Sequence, residues 1–320
     1  MTRKLIIDCD PGQDDAINLF LALPPTDDYE ILGITVVAGN VGLDKVSRNA
    51  RLLCELTGRH DIPVYEGCAE PLKLPLVTAE EVHSREGLEG VELFEPTIKA
   101  QKQHAVDFII ETLMSAEDNS ITLVPTGPLT NIAAALQKEP AIAAKIKDIV
   151  LMGGALREGG NITPSAEFNI YVDPHAAQIV FDSGIKCIVF GLDVTHQVLS
   201  SDSVLERIKA VDNKVAQTAY NLLTYYGRYD AEKYGSNGAP LHDPCTMAYI
   251  LKPELFDLKE CNIRVEAESE LTRGHTAVDF WYATDLPKNS LWAYKVDADG
   301  FFDLLIEQLG KYEEIDDNLV

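Results

Sequence analysis

Four aspartates stand within eight residues near the start of the chain, in the run Asp8-Cys9-Asp10-Pro11-Gly12-Gln13-Asp14-Asp15. Carboxylates this close repel one another, and in a partly desolvated pocket protonation or a cation relieves the repulsion. Oxygen donors without a histidine and cysteine cluster at zinc spacing select a hard divalent ion, Ca2+ or Mg2+. Helix capping and first-turn charge explain part of the run, because Asp14 and Asp15 open a predicted helix, but one cap needs one aspartate. An EF-hand is excluded, since a loop starting at Asp8 would need glycine at Gln13 and glutamate at Leu19.

Such a cluster must be held at the end of a rigid element. The segments KLIIDCD, ILGITVVAGN, SITLVPTGP, DIVLMGGA and KCIVFGLDV read as buried strands, each ending in polar or glycine-rich residues. Helical periodicity falls between them, at residues 14–23, 44–57, 104–116, 131–137 and 174–183. Near-continuous Ile, Val and Leu strands alternating with helices predict a doubly wound α/β fold, a mostly parallel central sheet flanked by helices. In such sheets ligands sit beyond the carboxyl ends of the strands. The residues there are the aspartate run, Asn40, Thr126, Met152 to Gly154 and Asp193, a set rich in oxygen and poor in cations.

Composition narrows the partners. Hydrophobic residues make up 46% and charged residues 24%, an ordinary globular balance. Lys and Arg total 27 against 51 Asp and Glu, a formal charge of −24 that repels phosphate backbones and anionic headgroups. No nucleic acid or membrane partner is expected. The opening MTRKLIIDCD reads as a first strand rather than a signal peptide, and no apolar run reaches membrane-spanning length. The six cysteines are scattered without a C-x-x-C pair, which fits reduced thiols in a cytoplasmic protein. No linker or repeat divides the chain, so residues 1–320 are expected to form a single domain. Residues 71–96 read as a long excursion that covers a site, residues 225–242 as an irregular stretch, and the acidic tail as frayed.

The run Asp8 to Ala16, DCDPGQDDA, resembles the N-terminal signature of the inosine-uridine-preferring nucleoside hydrolase family. VVAGN, VPTGPLTNIA, LMGGA, NITPSAEFNIYVDP and PLHDPC follow in that family's order and spacing, and together they cover nearly the whole chain. GLDVTH and GAPLHDPCTMAYILKPELF are most similar to bacterial members that act on pyrimidine ribonucleosides. The resemblance implies hydrolysis of the ribose-to-base bond of uridine or cytidine, with inosine a further candidate, to ribose and free base. It also implies Ca2+, no organic cofactor, a small-molecule nucleoside as partner, and a homo-oligomer, dimer or tetramer.

The resemblance also assigns roles. Asp10, Asp15, the Thr126 carbonyl and Asp243 are the implied Ca2+ ligands, and Asp10 the implied base that takes a proton from water. Asp14, Asn40, Asn161, Glu167 and Asn169, with the Met152 backbone, are the implied ribose partners. Amides and carboxylates suit this work because ribose offers hydroxyls but no charge, while the transition state is oxocarbenium-like and cationic. Asn161 and Asn169 also suit ordinary Asx-turn chemistry. His242, next to Asp243, is the expected leaving-group acid. His83 and Tyr234 are expected near the base, and Phe168 near ribose or base. Asp8 is expected to be structural, as are His60, His104, His175, His196 and His275. Two other readings remain open on the residues alone. One is a haloacid-dehalogenase-like Mg2+ phosphotransferase, which shares a D-x-D after its first strand. The other is a non-catalytic Ca2+-dependent ribose- or nucleoside-binding protein.

Overall fold

The computed structural model describes residues 2–234 and 238–312, with side chains for all of these but 229–234. Among the described residues ten strands form: β1 Arg3–Cys9, β2 Tyr29–Val36, β3 Val64–Glu66, β4 Ile121–Pro125, β5 Ile146–Met152, β6 Cys187–Phe190, β7 Phe256–Cys261, β8 Ile263–Val265, β9 Thr276–Val278 and β10 Ser290–Val296. The helices are α1 Gln13–Ala22, α2 Leu43–Leu56, α3 Glu80–His83, α4 Ala105–Met114, α5 Thr130–Lys138, α6 Phe168–Val172, α7 Pro174–Asp182, α8 Leu192–Thr195, α9 Asp202–Lys209, α10 Lys214–Tyr234, α11 Pro244–Leu251 and α12 Ala298–Leu309.

Eight strands make one sheet in the order β3-β2-β1-β4-β5-β6-β10-β7, parallel throughout except for the β10–β7 pair. The chain winds outward from β1 in one direction and from β4 in the other, so a crevice opens where the two halves meet. Alternation along β1 separates two cores. Leu5 and Ile7 join the apolar surfaces of α1, α10, α11 and α12, while Ile6 joins those of α4, α5 and α7. Each fully buried Leu or Ile of these layers contributes about 1.5–3 kcal/mol. The doubly wound expectation holds, because the central parallel strands β1, β4, β5 and β6 are buried on both faces over most of their length.

The five expected strands and five expected helices form within a few residues of their anticipated bounds. The stretch 225–242 is a correction. Its first ten residues continue α10, whose buried Val215, Ala216, Ala219, Leu222, Leu223 and Tyr226 recur at helical spacing. Within 71–96 only α3 is regular. Backbone and side-chain bonds pin the segment down: Ala79 N donates to the Asn40 carbonyl, and Asn49 Nδ2 to those of Pro11 and Glu86. The acidic tail from residue 313 on lies outside the described residues, but Tyr312 just before it donates to the Phe20 carbonyl at 2.8 Å. All six cysteines are free, five of them buried. Among the described residues no helix is long and apolar enough to cross a membrane.

Candidate active site

The crevice holds a cavity of about 940 Å³, and its floor is acidic. Asp10 follows β1, while Asp14 and Asp15 occupy the first turn of α1, brought there by the tight Pro11-Gly12 turn. Asp243 arrives from the other end of the chain as the residue that opens α11. The carboxylates of Asp14, Asp15 and Asp243 lie within 4.8 Å of one another, all buried. Thr126, just beyond β4, donates its hydroxyl to Asp15 Oδ1 at 2.8 Å, and Gly12 N donates to Asp15 Oδ2 at 3.0 Å. Asp10 sits beside this triple rather than in it. Its Oδ2 accepts from Asn40 N at 2.7 Å, and its buried Oδ1 has no partner among the described residues. Gly39 and Gly127 flank that carboxylate so closely that a Cβ on either would lie 2.1 and 2.6 Å from its oxygens.

Burial and mutual repulsion push the Asp10, Asp14 and Asp243 carboxyls up, and burial raises Asp15. No lysine or arginine lines the cavity among the described residues. A divalent cation therefore fits this floor on two counts, the unpartnered buried Asp10 Oδ1 and an all-oxygen donor set. Asp8 stands apart: its Oδ1 accepts from Thr35 and Asn131, and burial raises its carboxyl to about 6. That arrangement ties β1, β2 and α5 together.

The walls carry the expected sugar partners. Asn40 donates its amide to the Asp10 carbonyl and to Asp15 Oδ2. Asn169 donates to the Thr126 and Met152 carbonyls, at 2.7 and 3.3 Å. Glu167 caps α6; its oxygens accept from Asn169, Gly154 and Ile170 N, while burial raises its carboxyl to about 7. Asn161 is exposed at the rim, where its Oδ1 accepts from Phe168 N, so the Asx-type reading describes that oxygen. All of these residues, and Phe168, line the cavity.

Two histidines also line the cavity. His242 Nδ1 meets the Thr195 hydroxyl at 2.7 Å, and its ring lies 5.7 Å from that of His196. Burial, with the neighbouring histidines, lowers His242 to about 3. His83, at the end of α3, is lowered to about 4 by burial and stacks on Tyr226 at 5.7 Å. The Tyr234 side chain lies outside the described residues. His196 is a correction, because it lines the cavity and pairs with Glu158 at 3.2 Å rather than serving structure alone. Sequence reading also passed over Gln13, Glu158, Thr195 and Tyr226. The helical spacing of α10 carried a signal for Tyr226; Gln13 and Thr195 carried none.

Comparison with known proteins agrees with this geometry. The family model for inosine-uridine preferring nucleoside hydrolases matches residues 5–303. The chain belongs to that family. A pyrimidine-specific ribonucleoside hydrolase RihA from Shewanella sp. (strain MR-7) is 47% identical over 313 residues, 98% of each chain. Among solved structures, the plant nucleoside hydrolase PpNRh1 is 34% identical with a TM-score of 0.90, covering 97% of this chain and 99% of its own. A purine-preferring ribonucleoside hydrolase from Gardnerella vaginalis is also 34% identical, with a TM-score of 0.89 and coverage of 96% and 98%. This nucleoside hydrolase is thus an enzyme, a glycosidase acting on N-glycosyl compounds, and its substrate is a small-molecule nucleoside. The phosphotransferase and the non-catalytic binding protein fall away.

Proposed function

We propose that this nucleoside hydrolase cleaves pyrimidine ribonucleosides, uridine and cytidine ahead of inosine, to ribose and free base. The observation that carries the reading is the acidic floor: Asp14, Asp15 and Asp243 form a buried triple, with the free Oδ1 of Asp10 beside it, beneath amide-bearing walls and two histidines. The 47% identity to a relative named pyrimidine-specific supports the choice of base. Asp10, Asp15, Asp243 and the Thr126 carbonyl would hold Ca2+, and Asp14 stands close enough to the same charge to share it. Bound there, Ca2+ supplies Lewis acidity that makes water easier to deprotonate.

The chain's own residues do the rest. Asp10 Oδ1, desolvated and without a partner, takes a proton from water. Asp14, Asn40, Asn169 and Glu167 hold ribose hydroxyls, and their negative field favours a sugar on which positive charge grows. His242 faces the departing base as a neutral imidazole, because its buried ring stays unprotonated at pH 7. With the Thr195 hydroxyl donating to Nδ1, Nε2 carries the proton that the base receives while Nδ1 takes the Thr195 hydroxyl proton in the same movement, and solvent then restores that proton to Thr195, so the ring never has to become an anion. The protein works as one domain, in a cytoplasmic dimer or tetramer.

Liquid chromatography of purified enzyme against uridine, cytidine, inosine and adenosine, with and without a chelator, tests the reading. Uridine and cytidine are expected to turn over fastest and the chelator to stop all four. Faster purine turnover would overturn the pyrimidine assignment. His242→Ala is expected to slow uridine about 10²–10³-fold. On 4-nitrophenyl riboside, whose leaving group needs no proton, the loss is expected to be several-fold at most. Equal losses on both would remove His242 as the acid.

A further inference from the structure

We propose that Gln13 is a positioning residue that locks His83 in its Nδ1–H tautomer, so that Nε2 meets the leaving base as a hydrogen-bond acceptor and favours bases that offer an N–H. The inference rests on the nucleoside reading for its ligand but not for its geometry. Gln13 lies between Gly12 and Asp14, fully buried on the first turn of α1. Its amide faces three groups of the covering segment. The Nε2 end lies 3.2 Å from the His83 carbonyl and 3.5 Å from the Glu89 carbonyl, while Oε1 lies 2.6 Å from His83 Nδ1.

Carbonyls accept only, so the end of the amide that meets two of them is NH2. Oε1 is therefore an acceptor, and His83 Nδ1 must bring the hydrogen. A neutral imidazole carries one N–H, which leaves Nε2 with a lone pair. Nε2 has no hydrogen-bond partner among the described residues, and the ring lines the cavity. The ring is also fixed in place. Gly12 lies against it, so that a Cβ there would fall 2.4 Å from Nδ1, and Tyr226 stacks on it. The base pocket thus has two unlike histidines. His242 offers a hydrogen at the leaving nitrogen, while His83 offers a lone pair to an imide or amino N–H elsewhere on the base.

The experiment has two arms. The first is long-range ¹H–¹⁵N spectroscopy of histidine-labelled enzyme without substrate, with His83→Ala used to assign the resonance. A protonated Nδ1 and a pyridine-type Nε2 are expected, and a protonated Nε2 in the parent chain would overturn the proposal. This arm holds whether or not the protein cleaves nucleosides, so it separates failure of the tautomer from failure of the proposed reaction. The second arm compares Gln13→Met with the parent on uridine and on 4-nitrophenyl riboside, which carries no N–H. Loss of one neutral hydrogen bond is expected to lower kcat/KM for uridine about five- to tenfold more than for the nitrophenyl substrate. A purely structural role would lower both equally, and that result would overturn the positioning role. Where Gln13→Met does not fold, the spectroscopic arm on the parent chain decides.

Discussion

Replacing Asp10 by asparagine is expected to leave a folded protein whose turnover of uridine is lower by about 10³–10⁴-fold. The exchange is nearly isosteric, and the geometry shows why the fold tolerates it. The asparagine oxygen can take the place of Oδ2 and accept from Asn40 N, while its amide occupies the side where Oδ1 now has no partner. Removing the charge also relieves the repulsion from Asp15 and Asp14 that pushes the carboxyl up. The variant is therefore expected to melt at or above the parent temperature in the absence of divalent ions, even as it loses a buried floor oxygen that has no hydrogen-bond partner among the described residues. Chromatographic rates and thermal melting, read on the same preparation, check both halves. Near-normal turnover would remove Asp10 from the base role.

The second large effect is on stability. In chelator-treated enzyme the melting temperature is expected to fall steadily as pH rises from about 5 to about 8, and millimolar Ca2+ to restore it at the upper end. Glu167 is held at about 7 and Asp8 at about 6 by burial, against ordinary values of 4.5 and 3.8, and the floor carboxyls are shifted the same way. A carboxyl whose folded pKa is raised keeps a proton that the unfolded chain has already released. Its contribution is fully present below about pH 4 and is lost as pH climbs through 6 and 7. For Glu167 alone the loss is about 3 kcal/mol, and the carboxyls together correspond to roughly 5 °C or more in Tm. A bound cation would replace protons at the floor, adding about 2.7 kcal/mol at a hundred times its Kd. Calorimetry across that pH range, with and without Ca2+, measures the effect. A melting temperature flat in pH and indifferent to Ca2+ would argue against a cation at the aspartates.

Much of the frame was legible along the chain. The β1 pattern Leu5-Ile6-Ile7 runs straight into Asp8 and Asp10, and period 2 and period 3.6 are local signals that need no distant partner. The C-terminal third was less legible. β7 lies on the edge of the sheet and β10 beside it, both with exposed residues, and β8 and β9 are three residues each, too short for a periodic signal. The 225–234 segment looked irregular because its tyrosines and Gly227 break the apolar stripe that the first half of α10 makes plain.

For the site, sequence determined the residue types: a run of aspartates after a first strand, amides and a glutamate after later ones, and an HD pair far downstream. It also determined that this set resembles one family. Which carboxylates meet was decided by the tertiary structure alone. Asp243 reaches Asp14 and Asp15 because α11 packs on α1, where Thr246 bonds to Asn18 across 228 residues. Other tertiary contacts leave Asp10 beside the triple, bring His196 and Tyr226 to the cavity, and set Gln13 against His83. The physical reason is that hydrogen bonds and charge contacts act over a few ångströms of space, whereas spacing along the chain reports only on neighbours in the same element.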